Sequence, residues 1–560
     1  MKKIYSIAIG LIILSVTLVS CEGLLGTDSD QILLPSEVDL SSPDKDFYSI
    51  NGILNELELL SQQYVLLGEL RGDLMETTSF SDEELREIYN FDISSDNKFN
   101  DSRAYYSVIN LCNYLIANVD TAIVIQGEKV NYRDYVAAKS IRAWTYMQLA
   151  LNYGEAKYFE EPILDVTDAN SGFKVYTFDE LAPVLIDDLA PWKSIEKPDA
   201  FSSYMYFDVR MLLGDLYLWT GQYENAAREY YDLIDDELYY IHPRYVNKYD
   251  GEDEGIIDED TYSPWNWDIN LYGNSYNTIT KLIATVEYKE DGSPLDSLNS
   301  YYMNQLAPSD VAINNWETQT YYQTATVTIE GDLRGGIRAF GSYVPAELYE
   351  NSSLFNIEKG RIMKFAFMNG TSYRSLVLYR SAHLYLKFAE ALNRLEKPNM
   401  AFAVLKNGLG PLTMANDILI PRDEKYISYD ETSYTFYPYT NFSASKWIGT
   451  FIDEDQNTYS AQYNIGIHGR GCGNIETSTT FAIPELETMQ DSMDYVEDKI
   501  IEEFALETAF EGNRFHDLMR VAKRRGDNAY LADKVAEKYD NKEAIRAKLM
   551  DENNWYLQSK

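Results

Sequence analysis

Cysteine is almost missing from this chain: three occur in 560 residues, at positions 21, 112 and 472. That is too few for a disulfide scaffold, so the core must be held by packing. Basic residues are scarce beside acidic ones, 48 Lys and Arg against 89 Asp and Glu, which leaves a formal charge of −41. Such a field repels phosphate backbones, and no stretch is basic enough to follow a nucleic acid. Histidine is rarer still. His242, His383, His468 and His516 stand far apart, with no His-Glu-x-x-His pair for zinc, and no Gly-x-Ser-x-Gly elbow offers a serine nucleophile. Carboxylates are so many that a glycosidase pair could be named anywhere, and only their separation in space would give the choice meaning. No catalytic, metal-binding or cofactor-binding constellation stands out from these residues, and a lipid-anchored hydrolase stays as the rival reading in another class. Beyond residue 19 no apolar run reaches eighteen residues, so nothing there predicts a membrane-spanning helix.

What is present is an ordinary globular composition, 45% apolar, 14% aromatic and 24% charged, unusual only in its 47 tyrosines. Collagen, coiled coil and wholesale disorder are excluded. The length corresponds to roughly three to four domains of ~150 residues, or to one larger fold. The first twenty residues stand apart. Lys2 and Lys3 precede an apolar run from Ile4 to Val19, the pattern of a secretory signal. It ends in Leu18-Val19-Ser20-Cys21, which resembles a bacterial lipobox and makes Cys21 the expected acylated N-terminus of the mature chain. Several acyl chains, at ~0.8 kcal/mol per buried methylene, would anchor it stably to a membrane. Residues 21–42, with Gly23, Gly26, Asp28 and Asp30, lack periodicity and predict a tether. Cys112 and Cys472 either pair or stay free.

The body reads as helical. Asn51 to Leu67, Tyr105 to Val124 and Tyr132 to Tyr153 each carry apolar residues at helical spacing, the third alternating alanines with aromatics. Between Phe207 and Tyr240, the residues Gly214, Tyr217, Gly221, Tyr223, Ala226 and Tyr230 have tetratricopeptide spacing, in which a small residue lets two helices approach and aromatics fill the gap. A weaker copy starts at Tyr379, with Ala389, Leu392, Ala401 and Leu405. Helix pairs of this kind cannot bury their apolar faces alone and are expected to stack. Asp494 to Arg525 is again helical. The expected fold is thus mainly α, a scaffold of tetratricopeptide-like helix pairs over 43–560, with loop-rich insertions at about 241–360 and 408–484.

Those insertions are rich in Gly, Asn, Asp, Ser and aromatics, and long aromatic loops in a compact protein are expected to be functional. Aromatic side chains among Asn, Asp and Gly offer flat apolar faces fringed by hydrogen-bonding groups, the make-up of a ligand platform. Tyr262, Trp265, Trp267, Tyr272 and Tyr276 crowd one segment and form the first candidate platform; Trp316, near Asn314, Asn315 and Tyr321, is the second. Two motif-like stretches are set aside. Asp250 to Gly255 begins like a calcium loop, but its twelfth position is Thr261 rather than glutamate, so it reads as a solvated acidic turn. The glycine run from Gly466 to Gly473 lacks a following helix and reads as a flexible loop.

Several blocks in order then resemble a family. They are the lipobox; Leu67-Gly68-Glu69-Leu70-Arg71-Gly72-Asp73; Ala138-Lys139-Ser140-Ile141-Arg142-Ala143-Trp144 with Tyr153-Gly154; the helix Tyr379 to Ala391, with His383 where the family has glutamate; and Glu507 to Arg520, containing Phe510-Glu511-Gly512-Asn513-Arg514. Together, over nearly the whole mature chain, they are similar to the SusD/RagB lipoproteins of Bacteroidetes. The resemblance implies a surface-exposed protein, lipid-anchored in the outer membrane, that binds a glycan without cleaving it and delivers it to a SusC-like TonB-dependent transporter. RagB-like members serve peptide uptake, and the acidity here would then suit basic peptides. The resemblance also places ligand contacts in the loop after the Leu-Arg-x-Asp block, which brings Asp73, Tyr89 and Phe91 into view. Arg514, Asp517 and Arg520 are expected to form a buried or capping charge network. Arg71-Gly72-Asp73 spells an integrin motif, a three-residue match of little weight.

Overall fold

A computed structural model describes residues 43–169, 172–198, 203–236, 278–285, 295, 298, 303–322, 328–336, 342–349, 356–365, 373–425, 451–452, 458–459, 466–472 and 480–558. The signal, Cys21 and the tether lie outside them. No helix among the described residues is long and apolar enough to cross a membrane.

Helices dominate, as the periodicity predicts. The chain opens with α1 (Pro43–Leu59), then a short helix Ser61–Val65 that runs into a π-helical turn at Leu66–Leu70. The strand β1 (Met75–Thr77) and a two-turn helix Glu83–Tyr89 follow. Next comes α2 (Ser102–Asn118), capped by Asp101, whose side chain accepts from the Arg103 N–H. It stops short of the expected Val124 because residues 124–129 form a tight hairpin, Val124–Ile125 against Glu128–Lys129.

The central helix α3 (Tyr132–Tyr153) keeps the expected bounds. From Val136 onward every side chain on it is buried, which is why its apolar residues spread around the cylinder instead of forming one stripe. Gly154, with φ +79, ends it. Its two buried cations, Lys139 and Arg142, both reach Asp188 on α4 (Phe178–Leu189).

The tetratricopeptide-like unit is the pair α5 (Val209–Trp219) and α6 (Tyr223–Asp236). A Cβ on Gly214 would lie 2.3 Å from the Tyr230 ring, so glycine is what lets the two axes close. The strand β2 (Thr278–Thr285) and the short strand β3 (Leu306–Pro308) follow; β3 pairs antiparallel with β1. Ser309 then caps α7 (Asp310–Glu317). The strands β4 (Tyr343–Pro345) and β5 (Gly360–Ile362) pair with each other, and β6 (Tyr373–Arg380) pairs with β2.

The second helix pair is α8 (Ser381–Arg394) and α9 (Pro398–Lys406). After it come α10 (Met489–Glu507), α11 (Arg514–Arg525), α12 (Asn528–Ala536) and α13 (Lys542–Leu549). Packing runs from α1 through α2 and α3 to α4, α5 and α6, then to α8, α9 and α10, as stacked antiparallel helices. One continuous apolar core extends from Ile50 to Leu557.

Three expectations need correction. The first helix lies eight residues earlier than read, because Leu66–Leu70 is drawn into the turn described below. The described half of the first insertion is not surface loop: α7 and β3 to β5 pack into the core, with Arg334 1% exposed. Their elements are too short to show a period. Residues 466–472 are likewise packed: the Gly466 N–H donates to Lys406 O at 3.0 Å, and its backbone abuts Leu405. Cys112 and Cys472 are both buried free thiols, which closes the question left open by the sequence.

Candidate functional site

The family-like block at 67–73 and the block at 507–520 meet face to face. Gly68 lies so close to Gly512 that a Cβ would come within 1.8 Å of its carbonyl oxygen. That approach brings the Glu69 carboxylate onto the start of α11. It accepts from the backbone N–H groups of Phe510, Gly512, Asn513 and Arg514 at 2.9, 2.9, 3.0 and 3.2 Å, filling donors that a helix start leaves open. Burial pushes this carboxyl up to about 7, with the amides and Lys364 opposing. Arg71 donates to Leu67 O, Trp555 O and Asn152 Oδ1 at 2.7, 2.8 and 2.7 Å and lies over the Phe515 ring. Asp73 binds Arg514 through two bonds of 2.6 and 2.8 Å. Burial would raise the Asp73 carboxyl, but Arg514 outweighs it and holds it low.

A second charged layer lies beneath. Arg380, at the β6–α8 junction, binds Glu507 at 2.7 Å and Glu511 at 2.8 Å, and Lys364 binds Glu511 at 2.5 Å. Despite burial, Arg380 and Lys364 hold the Glu511 carboxyl at about 2. Beside them His383 is pushed down to about 3 by burial, so the imidazole is neutral. Arg334 adds contacts to Asp332, Glu503 and Glu507, and His468 meets Glu503 at 2.7 Å. Arg520 reaches across to Glu390 on α8 and to Asp517 on its own helix. The expected charge network of Arg514, Asp517 and Arg520 is therefore present and is far larger than the sequence suggested. Nearly all of its side chains are closed to solvent, so its chemistry is clamping. Among the described residues no cluster of three or more metal-ligating side chains occurs.

The nominated ligand residues divide. Asp73, 3% exposed and spent on Arg514, is a clamp residue and not a ligand contact; burial of Arg71 with it also closes the integrin-like triplet. Trp316 is likewise corrected. It sits on α7 at 1% exposure between Tyr343 and Phe510, its indole N–H donating to Leu506 O at 3.1 Å. The signal for this was available: a Ser309 cap, then Ala312, Ile313 and Trp316 at helical spacing. Tyr89 and Phe91 are half-buried. Tyr89 packs on Tyr539 with the Lys538 ammonium 4.6 Å from its ring, and Phe91, at φ +56, packs on Phe515. Both pack against the core through residues of the C-terminal segment, Tyr539 and Phe515. Trp265, Trp267, Tyr272 and their neighbours lie outside the described residues, as does the calcium-like stretch. The described chain resumes at Thr278, whose backbone pairs with Arg380.

No protein-family model matches the sequence, and no curated protein matches it closely enough to count. The fold, however, has many solved counterparts. A SusD-superfamily protein from Bacteroides vulgatus superposes with a TM-score of 0.58 at 12% identity, over 90% of this chain and 92% of that one. Another from Bacteroides thetaiotaomicron gives 0.52 at 16% identity, over 93% of this chain and all of the other. A third, from Bacteroides vulgatus and described as a candidate sugar-binding protein, gives 0.54 at 14% identity over 86% and 89%. The chain has the SusD-superfamily fold, built on tetratricopeptide-like helix pairs.

Proposed function

We propose that this protein captures a glycan at the cell surface, held to the outer membrane by lipid on Cys21, and passes it to a SusC-like TonB-dependent transporter. The observation that carries the reading is the agreement of fold over about nine-tenths of both chains with SusD-superfamily proteins. The candidate sugar-binding description of one such neighbour and the lipobox at Leu18 to Cys21 support it. The charged residues of the family-like blocks are spent on one another and on the backbone, so capture is assigned to side chains outside those blocks. Trp265, Trp267 and Tyr272 are the proposed stacking platform, and Tyr89 and Phe91 are further proposed ligand contacts.

The test is calorimetric titration of the soluble mature chain, beginning after Cys21, with a panel of polysaccharides and mixed peptides, each mixture then checked for cleavage. Saturable glycan binding without cleavage is expected. Peptide binding in its place would move the protein to the RagB-like branch, and cleavage would make it a hydrolase. Trp265→Ala and Trp267→Ala should each weaken glycan binding with unchanged helical circular dichroism; wild-type affinity in both would remove the platform.

A further inference from the structure

A run of four apolar residues, Ala122-Ile123-Val124-Ile125, stands on the surface with none of the four buried. It forms the first arm of the hairpin between α2 and α3, in which Val124 pairs with Lys129 and Ile125 with Glu128. Gln126 and Gly127, at φ 55 and 93, make the two-residue turn, so the arms project with both faces open. Val124 is 56% exposed and Ile125 47%. Single apolar residues on a surface are ordinary, but a consecutive exposed run is a liability unless something covers it.

The hairpin lies at the end of the scaffold from which the tether leaves. Gln63, just past α1, donates to the hydroxyl of Tyr153, the last residue of α3, at 3.4 Å, and Ser107, near the start of α2, donates to Glu56, near the end of α1, at 3.2 Å. α1 and α3 therefore finish at one end and begin at the other, where α2 also stops and the hairpin turns. The 17 residues of α1, at about 1.5 Å each, span ~25 Å between the two ends. At Pro43 the chain continues into residues 21–42, and a coil of 22 residues spans ~26 Å on average. A lipid on Cys21 keeps the hairpin end, rather than the opposite one, nearest the membrane.

We infer that the 122–125 run is a shallow membrane contact that seats this end of the scaffold on the lipid surface, an inference that rests on the lipid anchor proposed above. Val124 and Ile125 leave water for the boundary of the acyl chains, while Lys129 and Glu128 across the hairpin stay among the headgroups. The base of the hairpin suits the same depth. Tyr132 and Trp192 stand there half-buried against each other, with the Lys129 ammonium 4.3 Å from the Tyr132 centroid, and these residue types settle at the membrane–water interface. An uncharged headgroup fits best, because Asp120, Glu128 and Glu196 are exposed at this end and the whole chain carries −41.

The probe is phosphatidylcholine vesicles with the mature chain acylated at Cys21, after mass spectrometry of the natural protein has read whether that cysteine is acylated. Hydrogen exchange over 122–130 should slow in the acylated chain on vesicles, relative to the chain that begins after Cys21. Val124→Ser combined with Ile125→Ser is then made in a chain bearing a single acyl group, for which anchoring is marginal and any added contact shows. Vesicle partitioning should weaken by about tenfold or more, with the urea midpoint unchanged. Unaltered exchange over 122–130, or wild-type partitioning by the double variant, overturns the contact and leaves the anchor standing. Protection that appears only when a transporter barrel is added also overturns it and gives the hairpin to a protein partner. An unacylated Cys21 overturns the anchor and the contact together.

Discussion

The helix pair α5/α6 and the junction between residues 67–73 and 507–520 are both recognisable in the sequence, yet they are held by different physics. The helix pair is fixed by shape: Gly214 leaves room and Tyr230 fills it. The polar group buried at its centre is Asp215, which accepts from the Tyr230 and Tyr379 hydroxyls and from Lys387 at 2.7, 2.8 and 2.7 Å. The junction is fixed by charge: Glu69 caps a helix start, Asp73 pairs with Arg514 and Arg380 with Glu507 and Glu511, all of them buried, while the buried Arg71 spends its guanidinium on the Leu67 and Trp555 carbonyls and on Asn152. An apolar contact loses energy in proportion to what is removed, whereas a buried charge that loses its partner also retains its own desolvation cost. The most motif-like residues of the chain are therefore the ones whose replacement should be least tolerated, and for a reason unconnected with ligand.

That contrast can be broken or sharpened in order of size. Arg380→Ala leaves Glu507 and Glu511 buried without their main cation and should cost ~3–5 kcal/mol in urea unfolding, the range for severing a buried ion pair. A loss below ~1 kcal/mol, the level of an exposed pair, would mean that water reaches the junction and that the distinction between the regions is false. Gly214→Ala drives a Cβ into the Tyr230 ring, and such overpacking should cost ~1–3 kcal/mol in the same measurement. No cost would show that α5 and α6 can move apart, so that shape does not fix the pair.

How much was legible follows the same division. The α3 bounds and both helix pairs could be read because periodicity and small–aromatic spacing are local. The π-helical turn at Leu66–Leu70 could not, because its geometry answers to Gly512 and the amides of 510–514, more than four hundred residues away. Asp332, Arg334, Glu503 and His468 went unnoticed for the same reason: a buried ion cluster has no spacing along the chain. Trp316 was misread because the Asn314-Asn315 pair looked like loop, although the Ser309 cap announced a helix. Of the candidate site, the sequence supplied the aromatic residue types and could not say which are buried; Trp316 is, whereas Tyr89 and Phe91 are half-buried.

The account rests most on the claim that the motif residues build the fold and do not touch the ligand. Asp73→Asn tests it directly, because Asp73 is read as a ligand contact from the sequence and as the Arg514 partner from the structure. The measurement is glycan affinity and urea midpoint on the same preparation. The account predicts a clearly lower midpoint with wild-type affinity for the folded protein; an unchanged midpoint with lost affinity would contradict it.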